Sequence, residues 1–212
     1  MNSRLKKSSG LYLITPDCID TAALCAQLTP LLQYPIALLQ YRNKTAKKAL
    51  QRQQTEQVRA LSSQAGIALI INDDWQLALD CGADGVHLGA EDADPRWVRA
   101  QVGYEMIIGV SCYNDLQRAE HYSTEDIDYL AFGAMFTSPT KPNARHAELS
   151  LLTQAKSLNK AIVAIGGITP DNSAEVIAAG ADYIAVISGI FTATNSEHAL
   201  NSYLNTFPRQ DT

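Results

Sequence analysis

The segment Gln40-Tyr41-Arg42-Asn43-Lys44 places an amide and two cations at alternate positions of one short run. Residues two apart on an extended chain share a face, so Gln40, Arg42 and Lys44 can act together if that face looks inward; the other reading is a solvated loop start. An inward-facing arginine is costly to bury without an anionic partner, which makes an anion its natural ligand. Two later segments, Asn72-Asp73-Asp74 and Glu91-Asp92, supply carboxylates. If these segments lie side by side, Asp73 and Asp92 converge on one hard cation. Mg²⁺ suits that pair, because it is held by one or two carboxylates together with phosphate oxygens and water. One of Asp73 and Asp74 is also placed to cap a helix that starts near Trp75. The expectation is one capping aspartate and one metal ligand.

A second group of residues suits phosphate. Phe136-Thr137-Ser138-Pro139-Thr140-Lys141 offers hydroxyls, backbone N–H groups and one lysine, which on their own suit either an anion-binding loop or an ordinary surface loop. Gly166-Gly167-Ile168-Thr169 and Ser188-Gly189 each lead into a helical segment. Paired glycines let a backbone approach a ligand closely, and a helix start offers free N–H groups and partial positive charge. His87 is open to two readings, a catalytic residue or, with more weight, a hydrogen-bonded strand histidine. Trp75 and Trp97 read as packing residues. No Ser/His/Asp or Cys/His arrangement is evident, so the chemistry has no obvious general base.

These residues need elements to position them. Strand candidates are Leu11–Ile14, Ile36–Tyr41, Ile67–Ile71, Gly85–Leu88, Met106–Val110, Tyr129–Phe132, Ala161–Ile165 and Tyr183–Ile187. Segments of helical composition lie between them. Thr45–Ala65 keeps Leu50, Val58, Leu61 and Ala65 on one face, with Thr45 as expected N-cap and Gly66 as stop. Thr169-Pro170 reads as an N-cap followed by proline at the first helical position. Gly82-Ala83-Asp84 and Gly180-Ala181-Asp182 each precede a strand, the trace of a repeated unit. Alternating strands and helices call for a parallel sheet, and eight units in this length fit a single-domain α/β (β/α)8 TIM barrel. The alternative, an open doubly wound sheet, would carry a glycine-rich turn after its first strand, where Thr15-Pro16-Asp17 stands. In a barrel, every candidate above lies at a strand's C-terminal end, where such folds bind ligands.

The 212 residues suit one domain, with 1–10 expected as a flexible extension. Apolar residues at 46% and charged residues at 18% exclude a disordered chain. The net charge of −5 gives no general attraction to nucleic acid or anionic membranes. No apolar run reads as a membrane span or a signal peptide. Cys18, Cys25, Cys81 and Cys112 lack zinc-site spacing and read as reduced thiols, which points to the cytoplasm. Oligomeric state, a homo-oligomer included, stays open.

Taken together, Gln40-x-Arg42-x-Lys44, Asn72-Asp73-Asp74, His87-Leu88-Gly89-x-Glu91-Asp92, Gly109-Val110-Ser111, Thr140-Lys141, Ile165-Gly166-Gly167-Ile168 and Ile187-Ser188 resemble the thiamine phosphate synthase family. The resemblance runs from Leu11 to about Phe191. It implies a Mg²⁺-dependent transferase that joins hydroxymethylpyrimidine diphosphate to thiazole phosphate and releases diphosphate. It further implies that Gln40, Arg42, Lys44, Asn72, Ser111 and Lys141 hold the pyrimidine diphosphate. Of these, Arg42, Lys44, Ser111 and Lys141 would act in catalysis, and Asp73 and Asp92 would bind Mg²⁺. Ser138, Thr140, Gly167, Ile187 and Ser188 would hold the thiazole phosphate. Diphosphate would leave first and the thiazole nitrogen, which carries no proton, would attack; this agrees with the missing base. Asn43, Ala90, Thr137 and Pro139 depart from the family pattern. Two alternatives are a thiazole tautomerase-like isomerase, which usually has histidine at the position of Tyr113, and a non-catalytic phosphate-ligand sensor.

Overall fold

Side chains that alternate between two apolar environments organise this chain. The structure, a computed structural model, describes residues 4–6, 8–137 and 147–208. Strands β1 (Gly10–Ile14), β2 (Leu38–Tyr41), β3 (Ala68–Asn72), β4 (Gly85–Leu88), β5 (Ile107–Tyr113), β6 (Tyr129–Phe132), β7 (Ala161–Ile165) and β8 (Tyr183–Val186) are all parallel neighbours. The last pairs with the first, Leu13 beside Val186, closing a single-domain (β/α)8 barrel. Around it lie α1 (Thr21–Leu31), α2 (Lys48–Ala65), α3 (Trp75–Asp80), α4 (Pro95–Val102), α5 (Leu116–Ser123), α6 (Leu149–Ala155), α7 (Pro170–Ala179), α8 (Ser188–Phe191) and α9 (Ser196–Leu204).

Along each strand one parity faces the helices and the other fills the barrel. Leu39, Tyr41, Leu69, Ile71, Val86, Leu88, Ile108 and Val110 belong to the outer layer. Tyr12, Leu38, Ile70, Ile107, Tyr129, Val163 and Tyr183 form a separate inner cluster. Parity then places Gln40 on β2, Asn72 on β3, His87 on β4 and Ser111 on β5 on the inner face, near the C-terminal rim. The inner layer is filled tightly enough to require glycine at two of its positions. A Cβ on Gly109 would lie 1.9 Å from the Tyr129 ring, and one on Gly85 would lie 2.6 Å from the Ile107 carbonyl oxygen.

At the N-terminal rim, the repeated Gly-Ala-Asp pattern acquires a physical purpose. Asp84 precedes β4 and accepts the Leu69 N–H of β3 at 2.8 Å. Asp182 precedes β8 and accepts the Ile162 N–H of β7 at 2.8 Å. Asp128 precedes β6 and accepts the Ile108 N–H of β5 at 2.7 Å. Each aspartate ties an even-numbered strand to the preceding odd one. Asp128 is fully buried and is neutralised by Arg99 at 3.0 Å and Arg4 at 2.9 Å. The segment expected to be a flexible extension thus supplies Arg4, which also bonds Asp126 at 3.0 Å, while Leu5 packs against the inner cluster.

Helix starts follow short polar side chains: Asp20, Asp74, Asp94 and Asp115 cap α1, α3, α4 and α5. Thr169 caps α7 in a reciprocal box with Asn172, with Pro170 at the first position as expected. Gly66 ends α2 in the left-handed region at φ 67. The start of α2 differs from expectation. Thr45 does not cap it; the Thr45 hydroxyl donates to Asn43 Oδ1 at 3.1 Å, and Lys47 is the boundary residue. The buried Asn43 side chain also accepts the Ala46 N–H at 3.2 Å and donates to the Cys18 carbonyl at 2.6 Å, holding the preceding turn out of the helix. Trp75 and Trp97 pack edge to face with ring centres 5.1 Å apart, the packing role assigned to them.

Candidate functional site

The C-terminal rim gathers most of the described candidates into one corner. β2 ends by delivering Arg42 and Lys44 into a loop fixed from beneath. The Thr15 hydroxyl donates to the Arg42 carbonyl at 2.9 Å, and the Arg42 N–H returns to the Thr15 oxygen at 2.9 Å. Asp17 then accepts from the Arg42 guanidinium at 3.2 Å and from the Lys44 N–H at 2.8 Å. Asp17 is a site residue that sequence reasoning missed; its signal was the Thr-Pro-Asp turn directly after β1, noted only for lacking glycine.

β3 and β4 bring in the carboxylates. Asp73 sits in the left-handed region at φ 65, and its carboxylate lies 3.4 Å from the Lys44 ammonium. Asp92 accepts the Gly89 N–H at 2.6 Å. Burial, and then the neighbouring Asp73 carboxylate, raise the Asp92 pKa above the ordinary aspartate range. Two carboxylates from adjacent loops therefore meet beside one lysine. That donor set fits a hard divalent cation, whose charge would relieve the repulsion between them. Among the described residues no group of three or more metal-ligating side chains exists, so water and ligand oxygens would complete the shell. Asn72 pairs with His87 along the strands, and Lys44, Asn72 and Asp73 line one cleft with Lys48 and Gln51.

β5 supplies Ser111, whose Oγ lies 2.8 Å from His87 Nε2. His87 is held on its other side at 3.0 Å from the Tyr129 hydroxyl and stacks on that ring. This is the hydrogen-bonded strand histidine expected above. Burial, opposed by Asp92, lowers its pKa to about 4, so the imidazole is neutral near pH 7. Arg118, also missed, donates to the Ser111 carbonyl at 2.8 Å and the Gly89 carbonyl at 3.4 Å, joining the β4 and β5 loops. Tyr113 lies in the left-handed region at φ 55, and its hydroxyl accepts the Ala90 N–H at 3.2 Å.

The loops after β7 and β8 form the second corner. Gly167 has φ 67, and a Cβ there would lie 2.5 Å from the Phe136 carbonyl oxygen; on Gly166 it would meet Ala134 at 2.6 Å. The space over both glycines is filled by the loop after β6, so close backbone packing, rather than open room for a ligand, demands glycine here. Ile187 bounds the four-residue α8, which starts at Ser188 directly after β8. Tyr203 on α9 ties the two loops by donating to the Ile168 carbonyl at 2.9 Å and crowding Gly189, where a Cβ would lie 2.2 Å from its oxygen. Ser138, Thr140 and Lys141 lie outside the described residues.

Comparison with known proteins agrees with this architecture. A family model described as thiamine monophosphate synthase matches residues 11–190. The thiamine-phosphate synthase of Xylella fastidiosa (strain 9a5c) is 48% identical over 203 residues, covering 96% of this chain and 86% of the relative. That of Azoarcus sp. (strain BH72) is 51% identical over 187 residues, covering 88% and 91%. Among solved structures, a thiamine phosphate pyrophosphorylase from Pyrococcus furiosus superposes with a TM-score of 0.83 at 29% identity, covering 97% and 96%. A 3-keto-L-gulonate-6-phosphate decarboxylase from Vibrio cholerae, at TM-score 0.70 and 12% identity, shares the barrel.

Proposed function

The chain belongs to the thiamine monophosphate synthase family, and from that premise we propose that it joins 4-amino-5-hydroxymethyl-2-methylpyrimidine diphosphate to hydroxyethylthiazole phosphate, giving thiamine phosphate and diphosphate. The observation that carries this reading is the convergence of Arg42, Lys44, Asp73 and Asp92 at one corner of the barrel mouth. Such a corner suits a diphosphate better than a monophosphate, because it combines two cations with a carboxylate pair able to hold a metal ion.

In this reading the C–O bond of the pyrimidine methylene breaks and its electron pair leaves with the diphosphate. The thiazole nitrogen lone pair then forms the new C–N bond. No proton moves, so a neutral His87 and the absence of a poised base among the described residues create no difficulty. Arg42 and Lys44, joined in this reading by Lys141, bind the departing oxygens and offset their growing charge. Gln40, Asn72 and Ser111 orient the substrate from the inner face. Asp73 and Asp92 would hold Mg²⁺, which supplies charge neutralisation for the leaving group. Ser138, Thr140, Gly167, Ile187 and Ser188 would hold the thiazole phosphate at the second corner. The four cysteines are unpaired, which supports a reducing, cytoplasmic setting.

The test is a direct assay. Purified protein, Mg²⁺ and both substrates should yield thiamine phosphate and diphosphate, with no product when a chelator is present. Folded protein that binds thiazole phosphate but forms no product would overturn the reading.

A further inference from the structure

A line of hydrogen bonds crosses the barrel interior and joins two residues of the pyrimidine corner. Gln40 Nε2 donates to the Tyr12 hydroxyl at 2.8 Å, and that oxygen lies 2.8 Å from the Tyr129 hydroxyl. The Tyr129 oxygen is 3.0 Å from His87 Nδ1, and His87 Nε2 is 2.8 Å from Ser111 Oγ. The links come from β2, β1, β6, β4 and β5. Both tyrosines are at most 1% exposed, so water cannot substitute for a missing partner.

Counting protons gives the line a direction. A phenol has one proton to donate, and so does a neutral imidazole. With the Gln40 amide donating to Tyr12, the Tyr12 proton goes to Tyr129 and the Tyr129 proton to His87 Nδ1. The imidazole proton is then on Nε2 and points at Ser111 Oγ. The Ser111 proton is left to face the site. The opposite polarity turns the Gln40 amide over and makes Ser111 donate to His87, so that only hydroxyl lone pairs meet an incoming anion. The line has one polarity at a time, and an anionic ligand stabilises the first.

We propose that Tyr12, Tyr129 and His87 are positioning residues that act as one hydrogen-bond relay to hold the Ser111 hydroxyl as a donor toward the anionic substrate. The proposal rests on the reading of Ser111 as a substrate contact. A relay of this kind stores orientation within the core, so the serine need not lose rotational freedom when ligand arrives.

The experiment uses the full chain and two readouts. Nitrogen-15 NMR of the histidine side chains should show His87 as the neutral Nε2–H tautomer, and Tyr129→Phe should abolish that preference. Calorimetric binding of inorganic diphosphate with Mg²⁺ should weaken about tenfold in Tyr129→Phe, the scale of one misdirected hydrogen bond to a charged group. Ser111→Ala should lose a similar amount, and the double variant no more than Ser111→Ala alone. Tyr129→Phe keeps the ring that packs on Gly109; Tyr12→Phe breaks the line one link away and should behave alike. A proton on Nδ1 in the native protein, or losses that add in the double variant, would overturn the relay. Because the tautomer is read without turnover, a failed coupled assay beside an Nε2–H His87 would remove the synthase reading and leave the relay standing.

Discussion

Asp73 and Asp74 are adjacent in sequence and turn their carboxylates to different tasks. Asp74 accepts the Leu77 N–H at 3.0 Å and caps α3, while Asp73 faces Lys44 at 3.4 Å across the barrel mouth. The positive φ of Asp73, 65°, is what separates the two directions. Asp74→Ala should lower stability by about 1 kcal/mol, the usual cost of a lost N-cap, with turnover nearly unchanged. Asp73→Asn tolerates the same backbone and should leave stability alone while cutting turnover about 10²-fold or more. Urea melts and steady-state assays on the two variants separate the roles; equal effects would mean that the division is absent.

Cys112 gives a pH signature. Burial raises its thiol to about 12, against 9.0 in an exposed chain. The unfolded chain therefore loses this proton at lower pH than the folded one. Stability from this group is fully present below pH 9.0 and declines as pH rises toward about 12. Native protein alkylated at pH 8 should leave Cys112 unmodified by mass spectrometry, and Cys112→Ala should flatten the alkaline part of the stability curve. Rapid modification of Cys112 in the folded protein would contradict its placement in the core.

Two glycines should respond very differently to alanine. A Cβ on Gly66 meets nothing within 4 Å, so Gly66→Ala should cost only the left-handed backbone penalty, about 1 kcal/mol. A Cβ on Gly109 overlaps the Tyr129 ring at 1.9 Å. Gly109→Ala should cost about 3 kcal/mol, toward the upper end for overpacking, and should also disturb His87, which stacks on the displaced ring. Thermal unfolding of the pair measures the contrast.

Asp128→Ala removes the common partner of Arg4 and Arg99 in a fully buried setting. Both arginines keep Asp126, at 3.0 Å from Arg4 and 3.3 Å from Arg99, so loss of the fully buried carboxylate should cost about 3 kcal/mol, the lower end for a broken buried pair. Denaturant unfolding should place this variant among the least stable single substitutions in the chain, with substrate affinity in the remaining folded fraction unchanged.

Much of the architecture is legible in the sequence because each strand carries its own signal. Gly85–Leu88, Tyr129–Phe132 and Ala161–Ile165 have the expected limits. β5 runs longer than expected, past Val110 to Tyr113, with a register shift beside Ser111 that no propensity encodes. The pairing of Lys44 with Asp73 was also within reach, since both follow neighbouring strands. Asp17 and Arg118 escaped because their value lies in partners 25 or more residues away or on another loop. Tyr12 and Tyr129 escaped for a deeper reason. Strand tyrosines look like ordinary core until the barrel closes and brings β1 and β6 within hydrogen-bonding distance.

The three aspartates that tie β3 to β4, β5 to β6 and β7 to β8 all lie at the rim opposite the ligand corners. Alignment of these three strand pairs is therefore reinforced from below, by contacts that no mouth residue shares. Changes in the mouth loops leave these three ties untouched, because the two sets of contacts lie at opposite ends of the strands. Such a molecule is well suited to evolutionary retooling: new specificities can be tried at one end while heritable order is kept at the other.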